Sequence, residues 1–205
     1  MQRILNKLPF VALMAAVVII SNVLVQHPFA HFGLRDLLTW GAFTYPLAFL
    51  VNDLTNRKYG PEAARKVVYA GFVLAVLLSA WFASPRIALA SGSAFLLAQM
   101  LDVSIFDWLR RQAWWRAPLI STLVGSALDT VIFFSLAFAA SFSMLDTVFG
   151  LEDGSLAFAV PFAGMEVPLW VSLAIGDFAV KIIIGIAMLA PYGVLLTRLK
   201  PAETA

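Results

Sequence analysis

Five ionisable side chains of this chain fall inside long apolar runs, namely Asp53, Asp102, Asp129, Asp177 and Lys181. On insertion scales, a charged group costs about 2.5–3.5 kcal/mol at the centre of a membrane helix. Such groups face the interior of a helix bundle or a wet cavity, and they mark substrate and ion pathways. We therefore interpret these five residues as candidates for ligand binding or proton transfer.

The spacing of the charges indicates how some of them are compensated. Asp177 and Lys181 are four residues apart and can form an ion pair on one helix face. A pair that only locks two helices together is an equally compatible interpretation. Asp53 precedes Arg57 by four residues, so those two side chains could pair near the membrane surface. Asp53, Asp177 and Lys181 are thus predicted to be either proton-coupling groups or members of structural ion pairs.

Neutral polar and aromatic side chains at helical spacing extend the set of candidates. Aromatic rings stack on planar heterocycles, whereas amides and carboxylates hydrogen-bond to the edges of such rings. The predicted substrate-binding residues are Asn22, Gln26, Tyr45, Phe49, Asn52, Gln99, Asp102, Ser126, Asp129, Asp177 and Lys181. The alternative for each amide is a bond that merely joins two membrane helices.

The composition indicates a protein that crosses the membrane several times. Of 205 residues, 61% are hydrophobic and 13% are charged, and the mean hydropathy is +0.89. Soluble domains are about 45–50% apolar and about 25% charged. Six spans of about 20 residues would occupy almost the whole chain. This predicts a single transmembrane domain over 1–205 and leaves no room for a soluble catalytic domain or an ATPase.

The apolar runs predict an all-α chain with six transmembrane helices, over residues 8–25, 37–56, 62–83, 86–109, 119–142 and 167–199. Pro46 should kink the second helix, because proline lacks the backbone donor. The sixth run exceeds the thickness of a bilayer, so we expect tilt or a break near Pro191.

The distribution of Lys and Arg predicts the orientation. With the N-terminus inside, eleven basic residues lie in inner connections and tails, whereas only Arg35 and Arg86 lie outside. The positive-inside rule therefore predicts that both termini are cytoplasmic, and it assigns the basic residues to topology rather than nucleic-acid binding. The acidic segment 143–166 falls outside, and either an ordered external loop or a lid over a cavity fits its apolar centre.

Motifs for other functions are missing from the sequence. The phosphate-binding pattern GxxxxGK[ST], the HExxH pattern and the GxSxG pattern do not occur, which argues against nucleotide hydrolysis and against protease or hydrolase chemistry. The chain has no cysteine, and this excludes disulfides and thiolate metal sites. His27 and His31 are predicted to be solvated loop residues. We therefore expect neither an enzyme nor a bound metal or cofactor.

Several stretches resemble the queuosine precursor transporter family of vitamin-uptake membrane proteins. They are SNVLVQ at 21–26, WGAFTYPLAFLVNDLTNRKYGPEAARK at 40–66, QMLDVSIFDWLRR at 99–111, STLVGSALDTVIFF at 121–134, and GDFAVKIIIG with PYGVLL within 176–196. The D-L-T-x-R-x-x-G segment and the D-x-x-x-K of the sixth helix are the most specific parts. The chain departs from the family pattern at Ser126, where asparagine is common, and at Asn52, where threonine is common.

The resemblance implies a multi-pass importer in the bacterial inner membrane. Its substrate would be a 7-deazaguanine base, such as 7-cyano-7-deazaguanine or the aminomethyl derivative, salvaged for queuosine modification of tRNA. A secondary carrier is the leading interpretation. The alternatives are a substrate-binding membrane subunit that needs a separate ATPase module and, from another class, an intramembrane enzyme or an assembly protein. The predicted partners are the base and the lipid bilayer, and the sequence leaves the oligomeric state open to a homo-oligomer.

Overall fold

The computed structural model describes residues 8–31 and 38–198, and these residues are mostly helical. We number the helices α1 to α9 in chain order. They are Leu8–Leu24, Gly41–Thr44, Leu47–Tyr59, Pro61–Phe82, Pro85–Leu109, Arg116–Phe138, Met144–Val148, Leu169–Ala187 and Leu189–Leu196. A 3₁₀ turn at Ala140–Phe142 and two strands, β1 (Ala159–Phe162) and β2 (Met165–Pro168), complete the described elements.

Four helical segments of the described chain are long and apolar enough to cross a membrane, namely α4, α5, α6 and the α8–α9 segment. Helix α1 is also apolar but shorter, at 17 residues. Large apolar side chains such as Leu77, Val131 and Ile183 are exposed on the outer faces of these helices. Such faces suit lipid, which confirms a helical protein that crosses the membrane several times.

The second predicted helix is interrupted where Pro46 was expected to kink it. Helix α2 ends at Thr44, helix α3 begins at Leu47, and Tyr45 and Pro46 form the turn between them. Since proline lacks the backbone N–H that a continuous helix uses, the effect at this position is a break rather than a bend. The break brings Tyr45 to the end of a short helix, where it faces a cavity.

The last predicted helix also differs in its bounds. It begins at Leu169 rather than at residue 167, because 165–168 pair as strand β2. The expected break lies at Met188, three residues before Pro191, between α8 and α9. Likewise, α6 extends from Arg116 to Phe138, whereas the sequence predicted 119–142. The predicted starts and ends at residues 37 and 199 lie outside the described residues.

Residues 143–166, predicted to be non-helical, contain the short helix α7 and most of a β-hairpin in a protein that is mostly helical. After α7, strands β1 and β2 pair antiparallel, with Phe162 opposite Met165. The turn between them has positive φ at both Ala163 (50°) and Gly164 (83°), as the common two-residue hairpin turns require.

A buried arginine joins residues 143–166 to helices α5 and α6. Arg86, predicted to be an external basic residue, is only 1% exposed. Its guanidinium donates to the carbonyl oxygens of Leu136 at 2.8 Å and Ala139 at 2.7 Å, and to Asp146 Oδ2 at 2.5 Å. The start of α5 is thereby tied to the end of α6 and to α7.

Close helix contacts position the functional residues. A Cβ added at Gly71 would lie 2.8 Å from Met14 Cγ and 3.0 Å from the ring of Phe95, so α4 lies very near α1 and α5. A Cβ at Gly125 would lie 2.8 Å from the ring of Phe49, which places α6 equally near α3. Small residues permit such approaches between membrane helices.

Candidate functional site

A cavity of about 440 Å³ lies among α1, α2, α5, α6 and α8. Its wall is mainly apolar, and a smaller number of polar side chains project into it. Those polar side chains belong to Ser21, Asn22, Thr39, Tyr45, Ser91, Asp129, Asp177 and Lys181. Sites for small molecules are typically apolar cavities of about 300–1,000 Å³ with a few polar groups, and this cavity has both properties.

A charged network forms the polar part of the cavity. The Lys181 ammonium donates to Asp129 Oδ2 at 2.7 Å and approaches Asp177 Oδ2 at 2.5 Å. Thr130 joins it, because its hydroxyl accepts from Lys181 at 3.1 Å and donates to Asp177 at 2.9 Å. The predicted Asp177–Lys181 pair is confirmed, and Asp129 turns it into a triad. With all three groups ionised, the triad carries one net negative charge.

Tyr45 links the interrupted second span to this triad. Its phenol donates to Asp129 Oδ1 at 2.8 Å, and the Lys181 ammonium lies 5.4 Å from the centre of its ring. The Tyr45 side chain therefore contacts the Asp129 carboxylate through its hydroxyl and the Lys181 ammonium through its ring. An aromatic face beside charged donors and acceptors is suited to a planar polar ligand.

The two predicted polar residues of α1 have different environments. Asn22 borders the cavity, but its Nδ2 donates to the Val18 carbonyl at 3.0 Å and its Oδ1 accepts from Ser79 at 3.0 Å. Gln26 is exposed, lies outside the cavity lining, and has only a 3.5 Å contact with the Asn22 carbonyl. The structure therefore does not bring Gln26 to the other predicted residues.

A second group of predicted residues lies deeper, and we call it the buried polar cluster: Asn52, Asp53, Gln99, Asp102, Ser121, Thr122 and Ser126. Asn52 Nδ2 donates to Asp102 Oδ2 at 2.8 Å and contacts the Gln99 carbonyl at 3.3 Å. The Asp53 carboxyl has Ser121 at 3.4 Å and Thr122 at 3.5 Å. All seven side chains are buried, so α3, α5 and α6 enclose a polar interior.

Several polar atoms of this cluster have no hydrogen-bond partner. They are both amide atoms of Gln99, Asn52 Oδ1, Asp102 Oδ1 and Ser126 Oγ. Buried polar groups are normally paired, so a concentration of unpartnered atoms calls for a specific explanation. A void of about 10 Å³ beside Asp53 and Thr122 extends to Tyr192, and it is about the size that one water molecule needs.

Phe49 connects the cavity to the buried polar cluster. Its fully buried ring packs edge-on against Tyr45, with ring centroids 6.5 Å apart. It also packs on Gly125, where an added Cβ would lie 3.4 Å from Asp102 Cβ. Phe49 itself is not part of the cavity lining, so its predicted contact with a ligand is not seen in this conformation.

The predicted near-surface pair of Asp53 and Arg57 was wrong. Asp53 is 2% exposed, and Arg57 bonds to other partners. Its Nε donates to the Tyr192 hydroxyl at 2.9 Å and its Nη1 donates to the Arg110 carbonyl at 2.6 Å. The guanidinium also lies 5.2 Å from the centre of the Phe106 ring. These contacts join α3, α5 and α9 and close the bundle on that side.

Residues 39–84 and 78–195 match the family described as "Putative vitamin uptake transporter". The chain belongs to this family. It is 36% identical over 201 residues to the queuosine precursor transporter of Escherichia coli (strain K12), covering 87% of this chain and 81% of the relative. No solved structure matches the chain.

Two further relatives have similar names. A probable queuosine precursor transporter of Haemophilus influenzae is 34% identical over 180 residues, covering 77% of this chain and 68% of the relative. A protein of the same description from Bacillus subtilis (strain 168) is 32% identical over 148 residues, or 58% and 63% of the two chains. The predicted family is confirmed, and these relatives are transporters rather than enzymes.

Proposed function

We propose that this protein imports a queuosine precursor, a 7-deazaguanine base such as 7-cyano-7-deazaguanine or its aminomethyl derivative, for queuosine modification of tRNA. The observation that carries the proposal is the cavity with the Asp129–Lys181–Asp177 triad and the Tyr45 ring. The names of the relatives point to the same substrate class.

The chemistry of the cavity complements such a base. A deazaguanine has a planar ring, a carbonyl acceptor, and an edge of N–H and NH₂ donors. Asp129 and Asp177 can accept from that edge, Lys181 can donate to the carbonyl, and the Tyr45 ring can stack on the heterocycle. The aminomethyl form adds an ammonium group, which suits the net negative charge of the triad.

We assign first contact with the base to Asn22, Tyr45, Asp129, Asp177 and Lys181, all of which border the cavity. Asn52, Gln99 and Ser126 are assigned a later step, when the base moves inward past Phe49. Asp177 and Lys181 also form a structural ion pair within α8, and the bonds of Lys181 to Asp129 and of Thr130 to Asp177 hold α8 against α6.

The proposed topology has six spans: α1, the α2–α3 pair, α4, α5, α6 and the α8–α9 pair. The bias of Lys and Arg supports cytoplasmic termini. With that orientation the cavity opens outward, because its lining includes Ala83 and Phe138 at the outer ends of α4 and α6. The contacts of Arg57 with Tyr192 and Arg110 then close the inner side. We propose that the chain forms one domain in the bacterial inner membrane.

The test is uptake of labelled 7-cyano-7-deazaguanine into cells that can neither make nor otherwise import it. A hydrogen bond to a charged group contributes about 1.5–3 kcal/mol, so Asp177→Asn should weaken the apparent affinity by about tenfold or more. Asp107→Asn is the matched control, because Asp107 only pairs with Arg110 at 3.2 Å outside the cavity. Unchanged uptake after deletion of the gene would contradict the proposal.

The same base and purified protein separate a secondary carrier from a subunit that depends on an ATPase. A secondary carrier transports the base in liposomes that contain this protein alone. A substrate-binding subunit binds the base there but does not transport it.

A further inference from the structure

We propose that Asp53 and Asp102 together hold the proton that drives import, at a coupling site separate from the cavity. This inference rests on the proposed function as a secondary carrier. It assigns to the two acids of the buried polar cluster a ligand, the proton, that differs from the base in size and charge.

Only neutral groups of the described residues donate hydrogen bonds to the two carboxyls. Asp102 accepts from Asn52, and Asp53 has only the hydroxyls of Ser121 and Thr122. The Ser121 hydroxyl lies 3.4 Å from Asp53 Oδ1, whereas Asp102 Oδ1 has no hydrogen-bond partner. All of these donors are neutral. Among the described residues, no Lys or Arg forms an ion pair with either carboxyl.

Few charged groups face the pair from the neighbouring helices. On α3 the cation is Arg57, whose guanidinium is bound to Tyr192 and to the Arg110 carbonyl. Helix α9 presents Tyr192, and α6 presents only uncharged groups toward the pair. Lys181 of α8 is already bound by two carboxylates of the cavity. One cation near two buried carboxyls leaves a net negative charge of one, and uptake of one proton by the pair removes it.

The space beside the pair and the unpartnered atoms around it also suit a proton. The adjoining void of about 10 Å³ is far too small for a base, but a proton needs no cavity. The unpartnered atoms of the cluster are the oxygens Asn52 Oδ1, Gln99 Oε1 and Asp102 Oδ1, together with Gln99 Nε2 and Ser126 Oγ. A protonated carboxyl supplies an O–H donor, which an ionised carboxylate lacks. Protonation of the pair therefore adds a donor to a cluster that contains three unpartnered acceptor oxygens.

A packed route links this coupling site to the cavity. Tyr45 borders the cavity and packs on Phe49, and Phe49 packs on Gly125 beside Asp102. A base that displaces the Tyr45 ring must therefore move Phe49, and α3, α5 and α6 must adjust around the two acids. On the other side, the void beside Asp53 reaches Tyr192 at the inner end of the bundle. The pair thus lies between the cavity and the inner closure.

The experiment uses purified full-length protein in liposomes, with labelled 7-cyano-7-deazaguanine as the probe. Two quantities are measured: exchange of the base without any gradient, and accumulation driven by an acidic exterior. For one proton per base, a gradient of one pH unit should raise the accumulation ratio by about tenfold. A pH dye inside the liposomes should report acidification that follows entry of the base.

Variants of Asp53 test whether this residue is part of the proton-coupling site. Asp53→Asn should retain exchange and lose the tenfold dependence on the gradient, whereas Asp53→Glu should keep that dependence. Asp107→Asn is the matched control for the same chemical change on an exposed side chain, and it should behave like the wild type. If Asp53→Asn does not fold, the dye measurement on the wild type and the Asp53→Glu variant still test the coupling.

The outcomes separate the two proposals. Proton coupling would be contradicted if exchange and accumulation of the base did not depend on the pH gradient, or if a sodium gradient drove accumulation instead. Either result would leave the proposed import of the base intact. A pH gradient that still drives accumulation by Asp53→Asn would overturn the assignment to this pair. Absence of both exchange and accumulation in the wild type would overturn the proposed function, and the coupling site with it.

Discussion

Replacement of Lys181 by methionine should destabilise the protein strongly. Lys181 is 4% exposed and lies between two carboxylates, one of 6% and one of 15% side-chain exposure. Methionine fills much of the same volume but removes the only charge that balances Asp129 and Asp177 within the triad. Breaking a buried ion pair by removing one partner costs about 3–5 kcal/mol. Because Asp177 keeps some contact with the cavity, we expect a loss near the lower end, of about 3 kcal/mol.

The double variant Asp129→Asn/Lys181→Met tests whether uncompensated charge causes the loss of stability. If uncompensated charge is the reason, removing one of the two remaining carboxylates should recover part of the loss, by about 1–2 kcal/mol. Lys181→Arg keeps the charge and is the control for loss of the side chain itself. The assay is the free energy of unfolding of each purified variant in the same detergent.

Two results would refute this reasoning. One is a loss below about 1 kcal/mol for Lys181→Met, which is typical of an exposed pair. The other is an additive double variant, in which Asp129→Asn destabilises Lys181→Met as much as it destabilises the wild type.

Three further predictions follow from single contacts. Arg86→Gln should lower the free energy of unfolding by about 3–5 kcal/mol, because it leaves a buried carboxylate unpaired. Proteolysis should then cut residues 143–166 faster in this variant. Arg111→Gln is the control for the same change at an exposed arginine. Gly125→Ala should destabilise by about 1–3 kcal/mol, since the added Cβ overpacks the helix contact, whereas Gly176→Ala, with nothing within 4 Å of the Cβ, should be neutral or stabilising in the same unfolding assay. Tyr45→Ala should weaken binding of the base, measured by calorimetry, by about tenfold through loss of the ring that stacks on it, whereas Tyr45→Phe keeps the ring and is the control; equal affinity of Tyr45→Ala would contradict that role.

The sequence was most informative at charged residues that lie within apolar runs. The i, i+4 spacing of Asp177 and Lys181 predicted their pair, and the apolar runs predicted helices in order. The addition of Asp129 to that pair depends on how α6 packs against α8, which no local spacing contains. The split between cavity and buried polar cluster was missed for the same reason.

Two sets of contacts were not predicted, for a common physical reason. Asp53 and Arg57 have the spacing of a helix pair, yet Arg57 bonds to Tyr192 and to a carbonyl on other helices. Arg86 was counted only as a basic residue of the outer side, and its buried contacts were not predicted. The signal that could have found it is the set of acids without a cation in 143–166, which includes its buried partner Asp146. Spacing along one helix does not predict the partners of long side chains, because these reach residues far along the chain.

The most direct test of the central claim is equilibrium binding of 7-cyano-7-deazaguanine to the purified protein and to two tryptophan variants of α8. Leu173 lines the cavity, so Leu173→Trp should fill it and abolish detectable binding. Ile183 lies on the same helix and is 65% exposed on the outer face, so Ile183→Trp should bind like the wild type. If Leu173→Trp retains wild-type affinity, the base does not bind in this cavity, and the account of its recognition is wrong.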